Sequence, residues 1–383
     1  MNNKVRLIAF YLPQFYPTDL NNKWWGPGYT EWRSVTQARP LFKGHYQPHE
    51  PADLGYYDLR LPEIREQQAQ LAKDAGIEGF CYWHYWMGDG RILLDRPFKE
   101  VLESGRPDYP FCLGWANHNW TNKNWTKQSV FLKEENLVEV KYSEKDYVDH
   151  FNYVLPAFQD KRYIRVDDKP VFYIWNTTGF PDLNRFINLW QKLANDNGLK
   201  GIYFVGLLDT LGEFHSKDGK YALPDLHQLN KKIDSLRELG LDAVNTINTK
   251  RAEFLYDGRF KSLLTRVANK FFKYYRLQRY DYRRLIKYMF CEEEQRDDVW
   301  PMIIPNWDRS PRAGRTASIY TNTTPEMFKE SLEKAIELVK NKTPEHQIII
   351  IKSWNEWGEG NYLEPDLKYG HRYLDVIKEL VNN

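Results

Sequence analysis

The sequence predicts an α/β fold, a single eight-stranded β/α (TIM) barrel over residues 1–383. Eight short apolar runs, rich in β-branched and aromatic residues, have the length and the boundaries of strands. Amphipathic stretches with helical periodicity lie between most of them, and this alternation is typical of a parallel sheet covered by helices. A count of eight strands favours a closed barrel over an open sheet.

The predicted elements follow one another along the chain. The strands are residues 5–12, 79–86, 111–116, 170–175, 201–208, 243–247, 302–305 and 347–354. The helices include residues 62–75, 144–158, 181–197, 228–239, 325–340 and 369–381. A long insert, residues 14–61, follows the first strand, and extended loops follow several others, so the strand ends have room for a site.

The composition indicates which binding partners and which cellular compartment to expect. The chain has 54 Lys and Arg against 52 Asp and Glu, a formal net charge of +2, which does not favour a nucleic acid partner. Its three cysteines give no disulfide framework. The start of the chain lacks a signal-peptide pattern, and no apolar span of about 18 residues is present. We therefore expect a cytoplasmic protein, at most peripheral at the inner face of a membrane.

A basic segment, about residues 259–290, has many Lys and Arg residues and few acidic ones. Its basic and apolar positions recur every three to four residues, which predicts a basic amphipathic helix. Such a helix can lie on an anionic membrane surface. The alternative is an outer barrel helix whose Lys and Arg side chains are merely solvated.

Polar and aromatic residues cluster at the carboxyl ends of six predicted strands, where β/α barrels carry their chemistry. Aromatic residues make up 16% of the chain, and many stand beside Asn, His and Gly, as in a sugar-binding cleft. A Trp or His at one strand end is more often packing than function, but six clusters around one rim favour binding. The expected substrate-binding residues are Trp24, Trp25, Glu31, Trp32, His84, Tyr85, Trp115, Asn117, His118, Asn119, Trp175, Asp308, Arg312, Asn355, Trp357 and Tyr362.

Glu356 and Glu359, which follow the apolar run 348–351, are the predicted catalytic residues. Cleavage of a sugar–sugar bond needs one carboxyl group at the leaving oxygen and a second, within about 5–10 Å, at the anomeric centre. Residues three apart on a straight strand point to opposite faces, so the pair converges only if Gly358 and Gly360 let the chain bend. The alternative is a strand end with solvated Glu side chains.

The sequence predicts no metal and no other cofactor. The histidines His45, His49, His84 and His118 have no compact ligand spacing, and no Cys pair joins them. The chain also lacks an Asp-x-Asp triplet and a Gly-rich phosphate loop after the first strand. These absences disfavour a metal-dependent nucleotide-sugar donor.

Several long motifs resemble the WbsX family. They are AFYLPQF at 9–15, WWG at 24–26, TEW at 30–32, GHYQPH at 44–49, WANHNW at 115–120 and WNEWGEG at 354–360. Members of this family are usually labelled glycosyltransferases of O-antigen and other surface-polysaccharide clusters, and they look related to the endo-α-mannosidases of glycoside hydrolase family 99. The resemblance covers nearly the whole chain, and it implies a β/α barrel and an oligo- or polysaccharide partner, free or lipid-linked.

The resemblance to family 99 also implies a retaining mechanism through a 1,2-anhydro sugar. Glu356 would deprotonate the 2-hydroxyl of the substrate, and Glu359 would be the acid and then the base at the leaving group. Glu359 then needs a raised pKa, which burial beside Trp357 and repulsion from Glu356 would supply. One position departs from the family pattern, since His118 stands where the motif has Glu. We expect His118 to hydrogen-bond in a subsite; the alternative is a rim residue without a role.

Three functions from different classes remain open. The first is a family-99-like retaining glycosidase or transglycosylase of surface-polysaccharide metabolism, O-antigen- or capsule-like. The second is a glycosyltransferase of lipopolysaccharide or exopolysaccharide biosynthesis that uses an activated sugar donor. The third is a glycan-binding protein without turnover. We favour the first, because the intact Glu pair disfavours the third and the missing donor motifs disfavour the second.

Overall fold

Parallel strands dominate the structure, a computed structural model that describes residues 5–122, 133, 135–211, 223–258 and 277–381. The strands on the path of its main sheet are β1 (Arg6–Tyr11), β2 (Gly79–Gly88), β3 (Phe111–Trp115), β4 (Lys169–Ile174), β5 (Tyr203–Asp209), β6 (Ala243–Ile247), β7 (Val299–Trp300), β8 (Met302–Ile303) and β9 (Ile348–Ile351). Their order is β7-β6-β5-β4-β3-β2-β1-β9-β8. All pairs along this path are parallel.

The two ends of this path are neighbours in the chain, so the sheet nearly closes into a barrel. β7 pairs with β6, and β8 pairs with β9. Only Pro301 stands between β7 and β8, and proline has no N–H to donate to a ladder. The predicted α/β barrel therefore fits the structure, whereas the predicted count of eight strands does not, because nine strands lie on the path.

The core strands are apolar on both faces because one face lines the barrel and the other lies under helices. β9 shows this pattern most clearly, since its four isoleucines are all 0% exposed. It pairs with β1 in register from Arg6↔Ile348 to Ala9↔Ile351. The last predicted strand therefore lies beside the first, as barrel closure requires.

Helices surround the sheet, and short strands form in the loops between the main elements. The helices are Asp19–Trp25, Glu31–Thr36, Pro62–Ala75, Arg96–Ser104, Glu144–Phe158, Leu183–Asp196, Leu226–Glu238, Tyr282–Leu285, Ser310–Ala313, Pro325–Val339 and Arg372–Val381, with a further helical stretch at 249–258. The short strands are Arg91–Leu93, Trp120–Thr121, Asn136–Val138, Arg165–Val166, Gln278–Asp281, Ser318–Thr321, Asn355–Glu356 and Asn361–Tyr362.

Helix ends agree with the prediction where local signals are strong. Pro62 opens the helix Pro62–Ala75, and Gly76 ends it in the left-handed conformation. The helix predicted at 228–239 begins earlier, at Leu226, because Asp225 and Gln228 form a capping box.

The described part of the basic segment contradicts the predicted continuous helix. Residues 259–276 lie outside the described residues. Gln278–Asp281 is a strand that pairs in parallel with Ser318–Thr321, and the following Leu285 is fully buried. Strand pairing thus overrides the helical pattern there. No helix within the described ranges has the length and apolar character needed to cross a bilayer.

Candidate active site

The chain bends directly after β9, and the bend turns Glu356 and Glu359 toward one cavity. Asn355–Glu356 pairs antiparallel with Asn361–Tyr362, and Trp357–Glu359 forms one 3-10 turn between them. Gly360 ends this turn with a φ of 62°, in the left-handed region that favours glycine. The structure thus brings the two carboxylates together through the glycines, as the sequence predicts.

Position 358 needs a glycine because the side chain of Glu31 lies very close to its backbone. A Cβ atom at this position would overlap the carboxylate of Glu31 and would lie 2.9 Å from Arg312 Nε. The absent side chain lets Glu31, on the helix Glu31–Thr36, lie directly against the turn.

Arg312 joins three carboxylates. Its Nε donates to Glu31 Oε1 at 2.8 Å, and its Nη1 lies 3.1 Å from both Glu356 Oε1 and Glu359 Oε1. Because these two oxygens lie at the same distance from one atom, they cannot be farther apart than twice that distance. Arg312 therefore fixes the spacing of the predicted catalytic pair.

Two more cations reach the same carboxylates. Arg309 Nε donates to Glu359 Oε1 at 3.1 Å. Lys352 Nζ lies 3.7 Å from Glu359 Oε2 and 3.9 Å from Glu356 Oε2, and it also lies 4.8 Å from the ring centre of Trp307, an attractive cation–π contact. The six charged groups balance to zero formal charge: Glu31, Glu356, Glu359, Arg309, Arg312 and Lys352.

The network keeps Glu359 ionised. Burial alone would raise its pKa, but the charges of Arg309, Arg312 and Lys352 outweigh burial and lower the pKa to about 2. The expected raised pKa of Glu359 is therefore wrong for this structure, because three cations outweigh burial and two of them, Arg309 and Arg312, are distant in sequence. Glu31 differs, since its complete burial raises its pKa against the opposing effect of Arg312.

The cavity that these groups line, here called the barrel cavity, has a volume of about 520 Å³, in the range of about 300–1,000 Å³ usual for ligand sites. It lies at the carboxyl ends of the strands, because Leu12, Trp175 and Asp209 line it at the ends of β1, β4 and β5. Its aromatic walls are Phe10, Trp83, Tyr85, Trp120, Trp175 and Trp307.

The indoles and His118 shape one side of the barrel cavity. Trp83 and Trp175 meet edge to face at 5.2 Å, and the ring of His118 lies 6.4 Å from that of Trp175. Burial lowers the pKa of His118 to about 4, so its imidazole is neutral near pH 7. Its buried Nδ1 has no hydrogen-bond partner among the described residues.

Some of the predicted site residues line the barrel cavity. Glu31 does not line it, but it forms an ion pair with Arg312, which does. The predicted residues that line it are Tyr85, His118, Trp175, Arg312, Glu356 and Glu359.

Two predicted asparagines hold the loops that carry the site. Asn355 accepts from Leu12 N at 2.7 Å and donates to Leu12 O at 3.0 Å, so it ties the turn after β9 to the end of β1. Asn117 joins the loop after β3 to the loop after β4 in the same way. It accepts from Asn176 N at 2.7 Å and donates to Asn176 O at 3.0 Å. Both amides are occupied by backbone rather than directed to a ligand.

Trp32, Trp357 and Tyr362 form a buried floor beneath the Glu turn. Trp357 stacks on Tyr362 with ring centres 3.7 Å apart and lies 5.4 Å from Trp32. Its Nε1 donates to Glu364 Oε2 at 2.6 Å. These side chains support the carboxylates instead of lining the barrel cavity. Asn119 is likewise structural, accepting from Val140 N at 2.9 Å.

His84 and Trp115 lie outside the barrel cavity, contrary to expectation. Side chains alternate along a strand, so Tyr85 points into the barrel while His84 points to the outer helix, where its Nε2 lies 2.9 Å from His150 Nε2. Trp115 packs against the ring of His150 at 4.8 Å and donates to Trp86 O. Both residues are packing residues.

The remaining predicted residues also do not line the barrel cavity. Trp24 lies 6.1 Å, ring to ring, from Trp120, and Trp25 contacts Tyr29. Asp308 accepts from Gln47 Nε2 at 2.6 Å and lies 2.7 Å from His45 Nε2. It lines a neighbouring cavity with Tyr362.

Sequence reasoning missed Lys352 and the ion pair Asp209–Lys250, 2.6 Å long, all of which line the barrel cavity. Each lies at or just after the end of a barrel strand, so the strand-end rule applies to them. Their residue types are common on surfaces, and no motif distinguishes them.

The cavity thus combines charged groups and indole rings at the carboxyl end of the barrel, where β/α barrels carry their sites. The chain belongs to the glycosyltransferase WbsX family, whose model matches residues 7–377. It is 31% identical over 377 residues to the uncharacterized protein WxcX of Xanthomonas campestris pv. campestris, from two strains. The match covers 97% of this chain and 49% of WxcX, so the chain spans about half the length of these relatives.

Solved structures share the fold over nearly the whole chain. A glycoside hydrolase-like protein superposes with a TM-score of 0.60 at 15% identity, covering 99% of this chain and 94% of that one. The GH99 endo-alpha-mannosidase from Bacteroides thetaiotaomicron, in complex with bis-tris-propane, gives 0.55 at 14% identity, with 100% and 97% covered. These identities show the fold alone. The predicted family is confirmed.

Proposed function

We propose that this protein is a retaining glycosidase or transglycosylase with family-99-like chemistry, which acts in surface-polysaccharide metabolism of the O-antigen or capsule type. One observation carries the proposal: Glu356 and Glu359 line one cavity and each lies 3.1 Å from Arg312 Nη1. This shared contact suits the short carboxyl spacing of retaining enzymes, about 5–5.5 Å, better than the about 6.5–9.5 Å of inverting ones.

In this proposal the two carboxylates have separate tasks. Glu356 takes the proton of the substrate 2-hydroxyl, whose oxygen attacks the anomeric carbon while the bond to the leaving oxygen breaks. Glu359 gives a proton to that leaving oxygen. Water or a second sugar then opens the 1,2-anhydro sugar, giving its proton to Glu359, and the 2-oxygen recovers its proton from Glu356. The 2-hydroxyl must be trans to the leaving group, so α-manno and α-rhamno sugars fit.

Glu359 has to gain a proton before it can donate one. Arg309 is the cation that a substrate displaces most readily, since its side chain is 46% exposed whereas that of Arg312 is 7% exposed. Loss of this contact and exclusion of water both raise a carboxyl pKa. Substrate entry therefore couples to proton uptake by Glu359.

A glycosyltransferase with an activated sugar donor is the second candidate. Arg309, Arg312, Lys352 and Lys250 all line the barrel cavity, and guanidinium groups suit a phosphate leaving group. The name of the family points the same way. In that reaction the leaving group would be the phosphate of the activated donor, and Glu356 would not act on a 2-hydroxyl.

Product analysis by mass spectrometry and NMR separates the two candidates. The protein is mixed with α-manno- and α-rhamno-configured oligosaccharides, with and without nucleotide sugars, beside Glu356→Gln and Glu359→Gln. The matched control is Glu333→Gln, an exposed position on the helix Pro325–Val339. We expect retained-configuration product without a nucleotide, lost in both site variants and kept in the control. Transfer that occurs only with a nucleotide sugar would refute the glycosidase.

We further propose that residues 1–383 form one catalytic domain that acts in the cytoplasm on an oligo- or polysaccharide, free or lipid-linked. The pairing of the first barrel strand, β1, with the last, β9, supports one domain. The proposal includes peripheral membrane contact through 259–290, and sedimentation with anionic liposomes at low salt tests it. Absence of binding there would remove the membrane from the proposal.

A further inference from the structure

A second cavity, of about 560 Å³, lies next to the barrel cavity, and Trp120 lines both. The ring of Trp120 is 5.4 Å from that of Tyr85, which lines the barrel cavity. The walls of the second cavity come from the insert helix Asp19–Trp25 and from the helix Arg96–Ser104 with the residues before it. We call it the Asn21 cavity.

Two polar side chains of the Asn21 cavity have atoms without partners in the described structure. Asn21 is 1% exposed, and neither its amide nitrogen nor its amide oxygen bonds to a described residue. Asp95 Oδ1 is also buried without a partner, while Asp95 Oδ2 accepts from the hydroxyl of Tyr153. Buried polar groups are nearly always satisfied in native proteins. Three unsatisfied atoms in the wall of one cavity indicate a ligand that supplies both donors and an acceptor.

The charges around the Asn21 cavity disfavour an anion. Its acidic groups outnumber its basic ones: Asp19, Asp95, Glu100 and Glu103 against Arg96 and Lys99. Arg96 is already paired with Glu100 at 2.6 Å, and Lys99 lies 3.8 Å from Glu103. A phosphate or a carboxylate would therefore meet net negative charge there.

The apolar part of the wall specifies the ligand further. Leu20, Ile92, Leu93, Leu94 and Trp120 line the cavity beside the two polar groups. A neutral ligand with hydroxyl groups on its edge and C–H groups on its faces matches such a wall, and a pyranose ring has this chemistry.

We propose that the Asn21 cavity binds further neutral sugar units of the glycan that occupies the barrel cavity, with Asn21 and Asp95 as the hydrogen-bonding residues. The substrate is then an extended oligo- or polysaccharide rather than a disaccharide. This inference rests on the proposed function for the identity of the ligand, but it concerns binding and not the reaction.

Calorimetric titration tests the inference without turnover. Asn21→Leu and Asp95→Asn are placed in the Glu356→Gln background, and each is titrated with α-mannobiose, α-mannotetraose and the α-rhamnosyl counterparts. Lys23→Ala is the matched control, an exposed residue of the same helix. We expect a tetrasaccharide to bind the background protein more tightly than a disaccharide. Asn21→Leu should weaken tetrasaccharide binding about tenfold, since it removes the bonds that the longer ligand makes.

Thermal unfolding of the free protein provides an independent readout. Asn21→Leu removes two buried polar atoms without partners, so we expect its melting temperature to rise. A purely structural Asn21 would instead make the variant less stable. A gain in stability together with weaker tetrasaccharide binding identifies a binding residue.

The outcomes separate this inference from the proposed function. Equal affinity for short and long ligands, or tetrasaccharide binding that Asn21→Leu and Asp95→Asn leave unchanged, overturns the inference even if Glu356→Gln abolishes turnover. Failure of every oligosaccharide to bind overturns it as well. Length-dependent binding that needs Asn21, in a protein whose turnover is unaffected by Glu356→Gln, supports the inference and refutes the catalytic proposal.

Discussion

Replacement of Arg312 by Met is the most direct test of the charged network. The change keeps an unbranched side chain but removes the guanidinium that contacts Glu31, Glu356 and Glu359. Two cations, Arg309 and Lys352, would then face three carboxylates. Removing one member of a buried ion pair typically costs about 3–5 kcal/mol, so we expect the free energy of unfolding at pH 8 to fall by about that amount.

The loss of stability in Arg312→Met should depend on pH, and the protonation of Glu31 decides whether the loss is larger at high or at low pH. Its side chain is 0% exposed, and burial already raises its pKa. Without Arg312 this pKa rises further above that of the unfolded chain, so Glu31 takes up a proton when the pH falls. A group with a raised folded-state pKa favours the folded state at low pH and loses that contribution as the pH rises. The variant should therefore be less impaired at pH 5 than at pH 8.

Urea unfolding at pH 5 and pH 8 measures both effects. Arg315→Met is the control, because Arg315 is an exposed residue of the same loop, and we expect it to change stability by less than about 0.5 kcal/mol. Adding Glu31→Gln to Arg312→Met should recover part of the loss, since it removes the buried charge. An Arg312→Met protein as stable as the parent, or one equally destabilised at both pH values, would refute the reasoning.

Three further changes test individual contacts of the site. Arg309→Met should raise the pKa of Glu359, because one of its opposing cations is lost, and carboxyl NMR titration would show no shift if Arg309 did not matter. Gly358→Ala should destabilise the protein by more than about 2 kcal/mol, since its Cβ would overlap Glu31; a normal melting curve would contradict this. His118→Glu should change activity or substrate range on an oligosaccharide panel, and an unchanged profile would argue against a role for His118.

The sequence predicts the elements that local signals define and misses those that depend on pairing. Strand 243–247 and helices 62–75 and 144–158 have the predicted bounds, because apolar pattern and capping residues agree there. The basic segment fails for the opposite reason. Its helical periodicity at 278–281 is overridden by pairing with Ser318–Thr321, a partner that lies about 40 residues away and has no local signal.

The candidate site shows the same division. The strand-end rule locates Tyr85 and Trp175, but it cannot tell that His84, one residue away, points outward, since this depends on strand register. The Glu pair is evident from its motif, whereas the charge state of Glu359 depends first on Arg309 and Arg312. These two cations come from another segment of the chain, and Arg309 lies 50 positions before Glu359. The chemical identity of a site is thus local in sequence, and its electrostatics are not.

The two hydrogen bonds between Asn355 and Leu12 join residues 343 positions apart. During synthesis, which adds about 5–20 residues per second, Leu12 emerges from the ribosome well before Asn355. Strand β1 therefore lacks its partner β9 while the segments between them are made. The turn that carries Glu356 and Glu359 is held in place only after β9 has paired with β1, so the candidate site forms when the barrel closes.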